Sequence, residues 1–119
     1  YPEGEVTDEP EAVLVAELIR EAALEGLNDE LPHSLAVVVE EMVPREGRDL
    51  IEVRADVFVE RDSQKGIIIG KGGEGLRRIG EKSRRRIEAQ LGTPVYLDLR
   101  VKVARNWQRD PRQLRRLGF

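Results

Sequence analysis

The chain contains no cysteine, one histidine and one methionine in 119 residues. Disulfide frameworks, thiolate zinc sites and cysteine nucleophiles are thereby excluded, and the composition suits a reducing compartment. Long apolar runs are also missing: Leu35 to Val39 falls far short of the roughly 20 residues that a membrane-spanning helix requires. No basic-then-apolar leader opens the sequence, so a soluble protein is expected. The single histidine, His33, stands beside Ser34 in what reads as a strand-entry turn, where a packing or hydrogen-bonding role fits better than catalysis, and no triad can be assembled around it. An initiator methionine is absent too, so the chain reads as a fragment or processed product. At 39% hydrophobic and 36% charged residues, the expectation is one small domain with a core sufficient for folding.

Charge is unevenly distributed. Residues 1–60 hold 17 Asp+Glu against 4 Lys+Arg, and residues 61–119 hold 16 Lys+Arg against 6 Asp+Glu. Such asymmetry points to a polyanionic partner on one face, because the potential acts locally and a net charge of −3 does not report it. The competing reading is mutual neutralisation of arginine-rich helices by glutamate-rich elements. On charge alone the two stand even.

Periodicity orders the elements. Residues 1–8 are polar and acidic and read as a linker. Asp8, Glu9, Pro10 and Glu11 make a helix start, followed by Val15, Leu18, Ile19, Ala22 and Leu27 at helical spacing and a stop near Gly26. Ser34 to Val43 is rich in β-branched residues. Leu50 to Glu60 alternates, with Ile51, Val53, Ala55, Val57 and Val59 on one face and Glu52, Arg54, Asp56, Phe58 and Glu60 on a wet one. Pro44 to Asp49 closes these strands into an antiparallel hairpin. Asp62 or Ser63 is expected to cap a short helix over Gln64 to Ile69. Leu76, Ile79, Ser83, Ile87 and Leu91 mark a longer helix ended by Gly92. Val95, Leu97, Leu99, Val101 and Val103 form the inner face of a last strand. A helical crossover between the second and third strands makes them parallel. The fold class is therefore α+β: α-β-β-α-α-β, a three-stranded mixed sheet covered on one face by helices. Residues 106–119 are expected to dock as a short tail helix, with Trp107 as anchor.

The most informative stretch is Gln64 to Gly80, QKGIIIGKGGEGLRRIG. Gly70, Gly72 and Gly75 spell a dinucleotide fingerprint, but only one strand follows and the required parallel sheet is missing. A nucleotide-hydrolase phosphate loop needs four residues before its Gly-Lys pair and a Ser or Thr after it. Here only three separate Gly66 from Gly70, and Gly72 follows Lys71. What remains is a corner between two helices, whose amides and helix dipole suit a phosphate oxyanion and whose glycines let a nucleic-acid backbone approach. The alternative is a corner whose glycines serve geometry alone. Elsewhere, Glu52, Asp56 and Glu60 could in principle pair for acid-base or divalent-ion chemistry, but Arg54 lies among them and a solvated sheet face accounts for them. Tyr96 and Trp107 are candidate stacking residues. No catalytic or metal-ligating set emerges.

Ile67 to Gly73 resembles the I-I-G-x-x-G signature of KH domains, and the element order resembles their type II arrangement. ERDSQKGIIIGKGGEGLRRIG, IEAQLGTPVYLDLRVKVARNW, LRRLGF and LPHSLAVVVEE further resemble the carboxyl-terminal half of the Era family of bacterial ribosome-assembly GTPases, over nearly the whole chain from about Val6. The resemblance implies a non-catalytic module, residues 9–105, that binds the single-stranded 3′ end of 16S ribosomal RNA during maturation of the 30S ribosomal subunit in the cytoplasm. It implies RNA-binding residues Lys65, Ile67, Ile68, Ile69, Gly70, Lys71, Gly72, Gly73, Arg77 and Arg78, and no cofactor or metal in these residues. GTP and Mg would belong to an amino-terminal GTPase domain whose phosphate-loop, switch and guanine-reading motifs are absent from this sequence. Peripheral membrane association is implied by the family alone. A rival expectation is a protein-interaction module whose basic face meets an acidic partner or the parent GTPase domain.

Overall fold

The computed structural model describes residues 10–25 and 35–105, together with Arg112 and Arg115. The expected linker, Gly26, His33, Ser34, Trp107 and most of the tail lie outside the described residues. The elements are α1 (Pro10–Leu24), β1 (Ala36–Pro44), β2 (Ile51–Val59), α2 (Asp62–Ile69), a single 3₁₀ turn (Lys71–Gly73), α3 (Glu74–Leu91) and β3 (Val95–Val103). This is the expected order. β1 and β2 pair antiparallel, with an irregularity between Val39 and Glu41. β2 and β3 run parallel from Ile51↔Val95 to Val59↔Val103. The hairpin closes through Arg45 N–H donating to Leu50 O at 2.8 Å, and Gly47 supplies the positive φ of 76° that the turn requires.

The helices cover the sheet face that carries Val53, Ala55, Val57 and Val59, all buried. α1 contributes Ala12, Val15, Ile19, Ala22 and Ala23, and α3 contributes Ile79 and Ile87. Each fully buried isoleucine contributes about 1.5–3 kcal/mol of apolar transfer, and these contacts fix how α3 lies. Arg20 Nε–H donates to Leu35 O at 3.1 Å, tying α1 to the approach of β1.

The other sheet face departs from the alternation-based expectation. Phe58, assigned there to water, is only 4% exposed and packs with Ala36, Ala104 and Val38 in a second cluster. Asp56 is 2% exposed, and Lys102 Nζ lies 2.8 Å from its carboxylate. Alternation says which face a side chain takes. It does not say how much of that face is covered, and small residues across the register, with Ala36 opposite Phe58, leave room for the ring. The start of α2 also differs. The cap position is Arg61, and it is the Gln64 side chain that reaches back, its Oε1 accepting from Arg61 N–H at 3.0 Å and Glu60 N–H at 2.9 Å. A side chain at the third helical position thus satisfies donors that neither Asp62 nor Ser63 reaches.

Ser83 is fully buried in α3 and its Oγ has no hydrogen-bond partner among the described residues. An unpaired buried hydroxyl costs about 1–3 kcal/mol, and alanine is also the better helix former. Ser83→Ala should therefore raise the urea midpoint by the equivalent of about 1 kcal/mol with an unchanged slope. A lowered midpoint would show that the hydroxyl has a partner.

Candidate nucleic-acid interface

The corner between α2 and α3 is built from glycines with two different duties. α2 ends at Gly70, whose N–H donates to Gly66 O at 2.9 Å and whose φ of 73° and ψ of 173° turn the chain out of the helix. Gly72 (φ 63°, ψ 18°) and Gly73 (φ 80°, ψ 6°) follow in left-handed conformations, and α3 begins at Glu74. A Cβ on Gly72 or Gly73 would meet nothing within 4 Å, so these positions are open to an approaching ligand and constrained only in φ. Gly70 and Gly75 are constrained by packing. A Cβ on Gly70 would lie 2.9 Å from Gly75 N, and one on Gly75 would lie 2.5 Å from Ile68 O and 3.0 Å from Ile69 O. Gly75, read from the sequence only as part of a rejected fingerprint, is therefore the tightest point of the corner. Contact with the preceding helix is invisible to spacing.

The three isoleucines divide their work. Ile68 is 1% exposed, in the core. Ile69 is partly buried against that core, while Ile67 is 41% exposed. Ile68 thus anchors α2, and Ile67 supplies the apolar surface beside the loop. Lys65 is half-buried, and Lys71, Arg77 and Arg78 are exposed.

The two readings of the charge asymmetry apply to opposite halves of α3. Its far half is largely neutralised internally, the exposed Arg85 apart: Arg86 and Lys82 both reach Glu25 at the end of α1, at 2.6 and 3.5 Å. Arg84 meets Glu88 at 3.1 Å. The hydrogen bond from Arg86 holds the Glu25 carboxyl below its ordinary range against the opposing effect of desolvation, with Lys82 adding attraction. The same bond raises Arg86. Glu88 Oε2 also accepts from Val95 N–H at 2.8 Å, locking the start of β3. Near the loop the pattern reverses. Among the described residues Lys65, Lys71 and Arg78 form no ion pair, and Arg77 is held only by Glu74 at 2.8 Å, both side chains well exposed. Exposed pairs of this kind contribute about 0–1 kcal/mol, so Arg77 is readily surrendered to a stronger anion.

The arrangement is that of an oxyanion site on an extended surface. Gly73 N–H donates to Gly70 O at 3.2 Å and Glu74 N–H to Lys71 O, so what the corner offers an anion is the positive end of the α3 dipole beside Lys65, Lys71 and Arg78, which form no ion pair among the described residues. No group of three or more His, Asp or Glu among the described residues is placed to hold a metal ion. Tyr96, 56% exposed, alternates with the buried Val95 and so lies on the sheet face away from the helices. None of the described helices is long and apolar enough to cross a membrane.

Comparison with known proteins agrees with this geometry. A family model described as KH domain matches residues 30–108. The GTPase Era of Mycobacterium tuberculosis H37Rv is 72% identical over 120 aligned positions, spanning 100% of this chain and 40% of that protein. The GTPase Era of Mycobacterium sp. strain KMS is 71% identical over the same shares. The chain thus spans about two fifths of the length of these curated relatives. Among solved structures, Aquifex aeolicus Era bound to GDP and aluminium fluoride superposes with a TM-score of 0.87 at 39% identity, covering 99% of this chain and 40% of that one. Era in complex with MgGDPNP and nucleotides 1506–1542 of 16S ribosomal RNA gives 0.88 at 39% identity, covering 99% and 39%.

Proposed function

Since this chain belongs to the KH-domain family, we propose that it is the RNA-binding module of an Era-type GTPase and holds the single-stranded 3′ end of 16S ribosomal RNA during assembly of the 30S subunit in the cytoplasm. The observation that carries this reading is the loop itself. Two left-handed glycines with open space above them present the amino end of α3, flanked by Lys65, Lys71 and Arg78, which form no ion pair among the described residues. A ribose-phosphate backbone lies along Gly70 to Gly73, with Lys71 and Arg78 as mobile counter-charges. Ile67 offers an apolar edge to a base. The module binds and performs no chemistry. GTP and its Mg are handled by a separate domain of the parent, to which residues 1–8 are the connection, residues 9–105 being the binding domain and 106–119 its carboxyl-terminal tail.

Titrating the 119-residue chain with an RNA corresponding to nucleotides 1506–1542, a scrambled RNA of equal length and a duplex RNA tests this. The expected result is saturable binding to the first, about tenfold or more tighter than to either control, and weakening with salt at a slope of a few phosphates. Weak, equal binding to all three would overturn the reading in favour of a protein partner for the basic face.

A further inference from the structure

Arg85 is the exception in the far half of α3. It is exposed and forms no ion pair among the described residues, whereas its neighbours on the helix are engaged, Lys82 and Arg86 by Glu25 and Arg84 by Glu88. Helical spacing offers it a partner in Glu81, one turn before and in the favourable order, yet the two do not pair. The helix dipole does not account for it either, because Arg85 stands before the last turn, which ends at Leu91.

Its position on the helix is informative. Arg78, likewise exposed and without an ion pair among the described residues, precedes it by seven residues, which returns to within about 20° of the same side and about 10 Å along the axis. Ser83 and Ile87, each two residues from Arg85, belong to the buried face of α3, so this side points away from the core. Lys82 lies between the two arginines on the same side. It is only the third contact of a carboxylate, since Arg86 holds both oxygens of Glu25, at 2.9 and 2.6 Å, and Lys82 stands 3.5 Å from one of them. We infer that this side of α3 is a second anion track: the sugar-phosphate backbone of RNA flanking the loop-bound segment runs along the helix from Arg78 to Arg85, outside the corner between α2 and α3, and Glu25 withholds Lys82 from it. This rests on the RNA-binding reading above and extends it to RNA beyond the loop. The track holds cations and no aromatic side chain, so it adds affinity and salt dependence and leaves the choice of sequence to the loop region.

Four variants of the 119-residue chain are titrated with the 1506–1542 RNA at several salt concentrations, beside thermal melts. Arg85→Gln should melt as the parent does, bind about three- to tenfold more weakly and lower the salt slope by about one. Arg48→Gln removes an exposed cation that also forms no ion pair among the described residues, but from the hairpin turn, and should leave affinity within about twofold. Glu25→Gln keeps an oxygen for Arg86 but releases Lys82, and should tighten binding about threefold while steepening the slope by about one. Lys71→Asp/Gly72→Asp tests the loop. If it loses binding while Arg85→Gln binds as the parent does, the α3 track is overturned and the loop site stands. Equal losses in Arg85→Gln and Arg48→Gln also overturn the track, since net charge alone would then explain them, and so does unchanged or weaker binding by Glu25→Gln. If none of the four variants alters affinity, the RNA-binding reading falls and the track with it.

Discussion

The variant Lys71→Asp/Gly72→Asp is expected to lose RNA binding by about a hundredfold or more while melting within a few degrees of the parent protein. The charge at the loop tip changes by three units, one cation removed and two carboxylates added. They stand at the positive end of the α3 dipole, where the proposed phosphate would lie, and repel what approaches. The fold tolerates both changes. Lys71 is exposed and forms no ion pair among the described residues, and a Cβ on Gly72 meets nothing within 4 Å. The remaining cost at Gly72 is that of a left-handed residue at φ 63°, about 1 kcal/mol and least for Asp and Asn among residues with a side chain. Filter binding or fluorescence anisotropy at several salt concentrations, beside a thermal melt, reads both quantities. A folded variant that binds with the parental affinity and salt slope would remove the loop from the interface.

The contrast with the far half of α3 sharpens that expectation. Counting arginines along the helix treats all six cations from Arg77 to Arg86 as one basic face. The fold divides them, because α1 brings Glu25 to Lys82 and Arg86, and Glu88 takes Arg84 one turn along. These cations are committed to holding α1, α3 and β3 together and contribute less to the field at the loop than their number suggests. A helix-long charge count therefore overstates the interface, and only contacts between elements distant in sequence reveal it.

The same limit explains what was legible beforehand and what was not. Element order, the hairpin and the parallel third strand follow from period and from crossover rules, since strands of alternating apolar residues and a helix bounded by Gly73 and Gly92 leave few ways to arrange three strands and three helices. The corner between α2 and α3 was legible as a sharp turn because its glycines supply the positive φ angles that such a turn needs. Coverage was not legible: Phe58 and Asp56 read as wet, and both are buried, because a period-2 pattern describes one strand and burial is set by what lies across it. Nor was the division among Ile67, Ile68 and Ile69, where three consecutive identical residues point in three directions around a helix: Ile68 is buried in the core, Ile69 packs against it and Ile67 is exposed. The clearest omission is Gly75. Spacing placed it in a dinucleotide pattern that the topology excludes, and once that pattern was discarded nothing in the sequence gave the glycine a purpose.

That purpose is steric, and it leads to the largest expected loss of stability. Gly75→Ala places a methyl carbon 2.5 Å from Ile68 O, 3.0 Å from Ile69 O and 3.2 Å from Ile69 C. All three are backbone atoms, so no side-chain rotation relieves the overlap. Either α2 and α3 move apart or the last turn of α2 is displaced, and each route draws Ile68 from a core in which it is 1% exposed. The bond from Gly70 N–H to Gly66 O resists the second route. The cost should be about 3 kcal/mol or more, beyond ordinary overpacking, which for a domain of this size lowers the melting temperature by roughly 12–20 °C. Gly73→Ala provides the internal comparison. It introduces the same methyl group two residues away into open space, at the cost of its left-handed φ alone, about 1 kcal/mol. Thermal or urea melts of the two variants side by side decide the matter. If Gly75→Ala melts as high as Gly73→Ala, the two helices are not in the close contact described, and the corner owes its shape to backbone dihedral angles alone.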